Sequence, residues 1–322
     1  KFVKKIKKTV VVALGGSSRE RQVSLSSGKA CIKAIKNLGY RVITFDPKNN
    51  FFNKINKNKV DIIFNALHGK DGEDGMAQSY FEHLKIPYTH SGVVSSMQAM
   101  DKEISKKLFI FNKILTPNYF VLTKNQNQKK ILLKFIKKRK IKFPIVVKPI
   151  NEGSSIGVKI CKNLNNLIKE KNFLFKTYTS LIFEKYIAGQ EIQVAVLNNK
   201  GIGAIELKTM RKFYDYKAKY SKSANTSHIL PPKIKKNKYK EVLRIAEKVH
   251  KVLNCRGVTR SDFKFYKNKF YLLEINTQPG MTDLSLVPEI AKYEGISFDK
   301  LVKKIILDAG INKWANQLSY LI

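Results

Sequence analysis

Glu274 and Asn276 stand two residues apart in the run Tyr271-Leu272-Leu273-Glu274-Ile275-Asn276-Thr277-Gln278-Pro279-Gly280-Met281-Thr282. Residues i and i+2 of a strand share a face. Leu272, Leu273 and Ile275 suit a buried strand, where a lone carboxylate is costly unless it is paired or bound to metal. A hard divalent cation such as Mg²⁺ answers that cost with oxygen ligands. The preceding run from Gly257 to Phe265 also reads as a strand, with Asn268 at a hairpin tip, so Asp262 can supply a third oxygen. The pattern predicts a metal-nucleotide site. The competing reading makes Glu274 an ordinary edge-strand carboxylate and Asn276 a turn former before Pro279.

Two glycine-rich loops add to it. Glu152-Gly-Ser-Ser-Ile-Gly157 follows the apolar strand ending at Lys148, and its small residues can close backbone N–H groups over phosphate oxygens. It lacks the Gly-Lys-[Ser/Thr] ending of a Walker loop, which argues against a P-loop ATPase. A lysine ending an apolar run needs an anion. His68-Gly-Lys-Asp-Gly-Glu-Asp-Gly75 follows the strand 62–67, and its three glycines permit close backbone approach to a ligand.

These groups need elements to carry them. The first hundred residues alternate strand and helix: strands at 10–14, 41–45 and 60–65, helices at about 24–37 and 77–84. That order predicts a parallel sheet with a ligand edge near Gly15-Gly16. The turn is not G-x-G-x-x-G, so a dinucleotide site is only weakly supported. A helix at about 102–112, a strand at 119–122, a basic helix to about Lys140 and the strand 145–148 follow. Strands at 192–197 and 202–206, a long loop from Lys212 to Pro232, a helix to Leu253 and the 257–276 hairpin complete the reading. The predicted class is α/β, divided as 1–100, 101–188 and 189–322.

The chain carries 62 Lys+Arg against 24 Asp+Glu, a net charge of +38, which would attract polyanions. The lysines travel with Asn and Ile along amphipathic helices and loops, base-reading arginine is scarce, and no nucleic-acid-binding signature is visible. A solvated surface is the preferred reading, with no specific nucleic acid partner. Three separated cysteines predict reduced thiols and a cytoplasmic setting. The basic start and the apolar run 9–14 imitate a signal peptide but stop short at Gly15-Gly16 without a cleavage site. No segment reaches the ~18 apolar residues of a membrane span.

Over nearly its full length the chain resembles the D-alanine–D-alanine ligase family of the ATP-grasp superfamily. The resemblance rests, in order, on Gly15-Gly16 through Glu20 to Ser24, the His68–Gly75 block, Met100-Asp101-Lys102, and Val147-Lys148-Pro149 with its loop. It continues through Glu184-Lys185-Tyr186, Phe213 to Tyr220, Arg260-Ser-Asp262, and Glu274-Ile-Asn276 onward to Ser285-Leu286. It implies an ATP-grasp fold with an N-terminal parallel-sheet Rossmann-like domain, and ATP-driven joining of two D-alanines through an acyl phosphate for peptidoglycan precursors.

By the same resemblance Lys102 and Lys148 meet the phosphates of ATP, and Lys185, Ser155 and Lys219 the nucleotide. Glu184 meets the adenine amino group and Glu191 the ribose. Asp262, Glu274 and Asn276 hold two Mg²⁺, with Mn²⁺ a possible substitute. Arg260 and the Gly280 N–H stabilise the oxyanion. Glu20 binds the first substrate's ammonium, Ser285 and the Leu286 N–H take the second carboxylate, and His68 belongs to the substrate pocket. Glu20, Ser154 and Tyr220 form a hydrogen-bonded triad beneath a lid at 212–232, and tyrosine at position 220 favours D-alanine as second substrate. A homodimer is implied.

Ser261, Lys264 and Lys217 depart from the usual pattern, and the tail after about Ala309, with Trp314, has no assigned role. A ligase using D-lactate or D-serine, and a polyanion-binding protein with a decayed ligase site, stand as alternatives.

Overall fold

Five consecutive buried residues, Thr9–Ala13, form β1, the centre of a parallel sheet. A strand covered on both faces reads as an unbroken apolar run, which is why Val10, Val11 and Val12 show no alternation. β2 (Arg41–Phe45) and β3 (Ile62–Asn65) pair with β1 on either side, in the order β2-β1-β3. Between β1 and β2 runs α1 (Arg21–Asn37), one turn longer than the sequence predicts. At Gly28 a Cβ would lie 2.7 Å from that of Leu14, so glycine lets helix and strand approach. The computed structural model describes residues 8–48, 55–209, 226–282 and 284–311. Tyr220, Lys219, Lys217 and Trp314 lie outside them, as does most of the 212–232 loop.

After α2 (Met76–Leu84), the chain forms α3 (Val93–Met100), whose apolar and small residues gave no helical signal, and α4 (Lys102–Phe111). Asp101 caps α4, accepting from the Glu103 and Ile104 N–H groups at 2.9 Å each. β4 (Tyr119–Thr123), α5 (Lys129–Lys138), β5 (Ile145–Pro149), β6 (Lys159–Cys161), α6 (Leu164–Leu174) and β7 (Ser180–Lys185) follow. They build a four-stranded antiparallel sheet, β4-β7-β5-β6, with Phe120 stacked on Phe183 at 4.9 Å between ring centroids.

A five-stranded antiparallel sheet stands opposite: β8 (Gln190–Leu197), β9 (Lys200–Thr209), β10 (Thr226–Ile229), β11 (Val258–Tyr266) and β12 (Lys269–Asn276), ordered β10-β9-β8-β11-β12. β10 corrects the expectation of an unbroken loop to Pro232, because Thr226–Ile229 pairs with the Glu206–Thr209 edge of β9. Lys267 and Asn268 both take positive φ, 46° and 63°, as a two-residue hairpin turn needs. α7 (Lys236–Val252) packs on this sheet, and α8 (Leu286–Tyr293) and α9 (Phe298–Leu307) join it to α1 and the parallel sheet through one apolar core. Among the described residues no helix is long and apolar enough to cross a membrane, and Cys31, Cys161 and Cys255 are buried and unbridged.

Candidate active site

Lys102 opens α4 with its backbone N–H on the Ile150 carbonyl at 3.1 Å and its Nζ on the Glu152 carbonyl at 2.5 Å, fastening the helix to the 152–157 loop. Ser154 and Ser155 hold φ of 49° and 61° there, a left-handed conformation costly for non-glycine residues and associated with sites. Lys148, from β5, has its Nζ 3.0 Å from Glu184 Oε2, while Lys106, one helical turn beyond Lys102, reaches Glu184 Oε1 at 2.9 Å. One carboxylate thus lies between two buried ammonium groups, leaving a net positive charge.

The titration follows from that arrangement. Burial works to raise Glu184, but Lys106 and Lys148 outweigh it and hold the carboxyl below its ordinary value. Burial depresses Lys106 to about 8 despite Glu184. Burial also pulls on Lys148, yet Glu184 and Glu274 reverse it and leave that amine above normal. Lys102 is lowered by burial, partly offset by Glu274. The Glu184 carboxylate is thereby held ionised by its two lysines.

Lys102, Lys148 and Glu184 line a cavity of about 550 Å³ between the four-stranded and five-stranded sheets, together with Ser155, Lys185, Glu191, Asp262 and Glu274. Val146, Ile160, Ile187 and Leu273 give it apolar walls. A flat base fits such walls, and the lysines suit its phosphates.

A second cavity, about 60 Å³, holds Glu20, His68, Glu73, Ser154, Arg260, Asn276 and Gly280. Both cavities share Lys102, Glu152 and Glu274, so they meet at those side chains. The Ser154 hydroxyl donates to Glu20 Oε1. Glu73 accepts the Gly69 N–H at 3.0 Å, and burial followed by the Glu20 charge drives its carboxyl well above the ordinary range. His68, beside Ser27 at 3.3 Å, is held neutral by burial, down to about 4.

Arg260 grips Asp262 through Nε and Nη2 at 2.8 and 3.0 Å. Asp262 sits in register with Glu274, and Arg260 with Asn276. Glu274 and Asn276 are half-buried rather than buried as the apolar strand suggested, because their face of β12 looks into the cavities. Asn276 Oδ1 also accepts the Gln278 N–H at 2.7 Å. Among the described residues no three His, Cys, Asp or Glu side chains converge. Two carboxylates and an amide therefore form a hard oxygen set that fits Mg²⁺ only with ligand oxygens completing its octahedron.

Ser285 stands at the N-cap position of α8 without a side-chain bond to the helix, leaving the Leu286 N–H in the first turn, and its Oγ accepts the Thr282 N–H at 2.9 Å. A Cβ on Gly280 would come within 2.8 Å of that Oγ, so the two positions adjoin.

Sequence reasoning missed Lys106, Glu73 and Gln278. Gln278 bonds the Asn65 amide at 2.8 Å and the Leu67 carbonyl, tying the end of β12 to the carboxyl end of β3. Lys106 had one available signal, its i+4 spacing from Lys102 on a helix.

The D-ala D-ala ligase C-terminus family matches residues 111–307 and the D-ala D-ala ligase N-terminus family residues 44–91. A D-alanine–D-alanine ligase of Pelagibacter ubique is 54% identical over 306 residues, 95% of this chain and 99% of that protein. The Rickettsia felis ligase is 42% identical, covering 94% of this chain and 92% of its own length. Among solved structures, the Bacillus anthracis D-alanine–D-alanine ligase complexed with ATP superposes with a TM-score of 0.82 at 34% identity, over 94% of this chain and 96% of that one. The VanG D-Ala:D-Ser ligase of Enterococcus faecalis gives 0.82 at 27% identity, over 93% and 98%. With its paired sheets in the ATP-grasp arrangement, the chain belongs to the D-alanine–D-alanine ligase family.

Proposed function

We propose that the chain joins two D-alanines to D-alanyl-D-alanine at the expense of ATP, supplying peptidoglycan precursor synthesis. The observation that carries this reading is the meeting of the two cavities at Lys102 and Glu274. A nucleotide in the larger would end against an amino acid in the smaller.

Lys102 and Lys148 bind and align the phosphates, and Glu184, which pairs with Lys148, is assigned to the adenine amino group from the family pattern. Glu191 faces the ribose, and Lys185 and Ser155 border the nucleotide, with Lys219 assigned there from the family pattern. Asp262, Glu274 and Asn276 would hold two Mg²⁺, with Mn²⁺ as a substitute. When bound, the metal neutralises phosphate charge and polarises the transferring group. Glu20 takes the first D-alanine's ammonium, beside Ser154 and His68, with Tyr220 completing the triad.

The carboxylate oxygen of that substrate attacks the γ-phosphorus, the bond to ADP breaks, and an acyl phosphate forms. The second D-alanine's carboxylate rests at Ser285 and the Leu286 N–H, as suits an anion at a helix N-terminus. Its amine attacks the acyl carbon, loses a proton, and phosphate departs. Arg260 and the Gly280 N–H stabilise the oxyanion of that step. The 212–232 segment serves as a lid excluding water. Functionally the chain divides as 1–100, 101–188 and 189–322, acts in the cytoplasm and works as a homodimer; the dimer rests on family resemblance alone.

The test is product identification from ATP and single amino acids. D-alanyl-D-alanine with matching ADP supports the reading. Preferential use of D-serine or D-lactate in competition would move the chain to a sister specificity. Equal turnover with L-alanine contradicts the assignment.

A further inference from the structure

Lys264 stands where an apolar residue is usual, and it points into the nucleotide cavity. Its Nζ lies 2.9 Å from Glu191 Oε2, with the two side chains only 17% and 15% exposed. The residues are direct partners across β11 and β8, and both line the larger cavity. Gln193 Nε2 approaches the other Glu191 oxygen, Oε1, at a long 3.5 Å.

Position along the strand says which part of a nucleotide this pair meets. Asp262 and Lys264 line the same cavity from one strand, so their Cα atoms lie about 7 Å apart. With Asp262 and Lys148 assigned to the phosphates, Lys264 and Glu191 lie about one sugar's length along the strand from them. A carboxylate on a strand facing a cavity has several rotamers and prefers water. A charge-assisted bond on one oxygen removes that freedom and leaves the other oxygen to accept from a diol.

We infer that Lys264 is a positioning residue for nucleotide recognition, holding Glu191 so that its carboxylate accepts the ribose hydroxyls. The inference rests on the proposed nucleotide cavity and on Glu191 as its ribose contact. Lysine rather than an apolar residue therefore sharpens selection for a nucleotide with an intact ribose. Losing a fixed acceptor weakens binding about tenfold, the weight of one hydrogen bond.

The experiment compares ATP with 2′,3′-dideoxy-ATP on the full chain, Lys264→Met, Lys264→Arg, Glu191→Gln and the Lys264→Met/Glu191→Gln double variant. Initial rates with D-alanine give KM and kcat, and calorimetry gives nucleotide affinity. The expected result is a roughly tenfold rise in KM for ATP in Lys264→Met with kcat within about twofold, and loss of the preference over the dideoxy nucleotide. Lys264→Arg should restore the preference, and the double variant should be no worse than Glu191→Gln.

Lys264→Met that keeps the full preference while Glu191→Gln loses it overturns the inference. A wild-type chain that turns over yet ignores the ribose hydroxyls overturns it as well, leaving the ligase reading intact. If D-alanine elicits no turnover, the ligase reading fails instead, and the calorimetric preference still decides what Lys264 does.

Discussion

Arg260 holds Asp262 by two parallel hydrogen bonds, 2.8 Å and 3.0 Å, from the same strand two residues away. Both belong to the proposed reaction centre, so the guanidinium orients the carboxylate that would hold the proposed Mg²⁺. Asp262→Asn should preserve the fold, lower turnover by about a hundredfold or more and raise the Mg²⁺ concentration for half-maximal rate. ADP release titrated against Mg²⁺ reads this directly; normal turnover at low Mg²⁺ would remove Asp262 from the metal set.

Lys106 carries no assigned chemistry, yet its removal should be costly. Lys106→Met leaves Glu184 buried with one ammonium instead of two and strips the 2.6 Å bond to Thr116 Oγ1. Losing these charge-assisted hydrogen bonds should cost about 2 kcal/mol, since Lys148 still pairs with the carboxylate. Urea unfolding should show that loss, and adding Glu184→Gln should deepen it, because Lys148 is then buried without its carboxylate.

Acid should unfold the chain in a definite window. Burial holds His68, His90 and His250 to about 4, 3 and 4, whereas the unfolded chain protonates them near 6.5. Their folded pKa values are depressed, so stability is full above about 6.5 and falls as pH drops toward 4, by up to about 3 kcal/mol per histidine. Glu184, also depressed, adds loss as pH falls below the ordinary carboxylate range. Glu73, raised, acts with opposite sign, its contribution being lost as pH rises. Urea midpoints at pH 7.5, 6 and 4.5 should decline in that order; a flat profile would contradict the buried neutral histidines.

Gly189 and Gly39 should part company on substitution. Both hold positive φ, 112° and 86°, but a Cβ at Gly189 meets the Phe265 carbonyl, whereas one at Gly39 meets nothing within 4 Å. Gly39→Ala should cost about 1 kcal/mol of backbone strain. Gly189→Ala should cost more and also weaken nucleotide binding, because Gly189 borders the larger cavity. Thermal unfolding with nucleotide titration separates the two.

What the sequence revealed, and what it hid, divides by distance along the chain. The β11–β12 hairpin was legible because turn, alternation and oxygen ligands lie within twenty residues, and Asn268 falls at the tip. The 152–157 loop beside Lys148 was legible for the same reason. Lys106 and Gln278 were not, since a lysine becomes a buried partner only once Glu184 arrives from β7, and Asn65 meets Gln278 across 213 positions. Lys264 was noticed as a departure, but its partner Glu191 lies on another strand. β10 escaped because four residues of an edge strand within a polar stretch carry too short a period to count.

The central claim is that the Lys102–Glu274 junction joins a nucleotide to an amino acid. The most direct test supplies the purified chain with ATP, Mg²⁺ and either D-alanine or L-alanine, and follows ADP and dipeptide together. One D-alanyl-D-alanine per ADP, with D-alanine alone and only with Mg²⁺, is the predicted result. ADP release indifferent to D-alanine, or no dipeptide from it, would contradict the account.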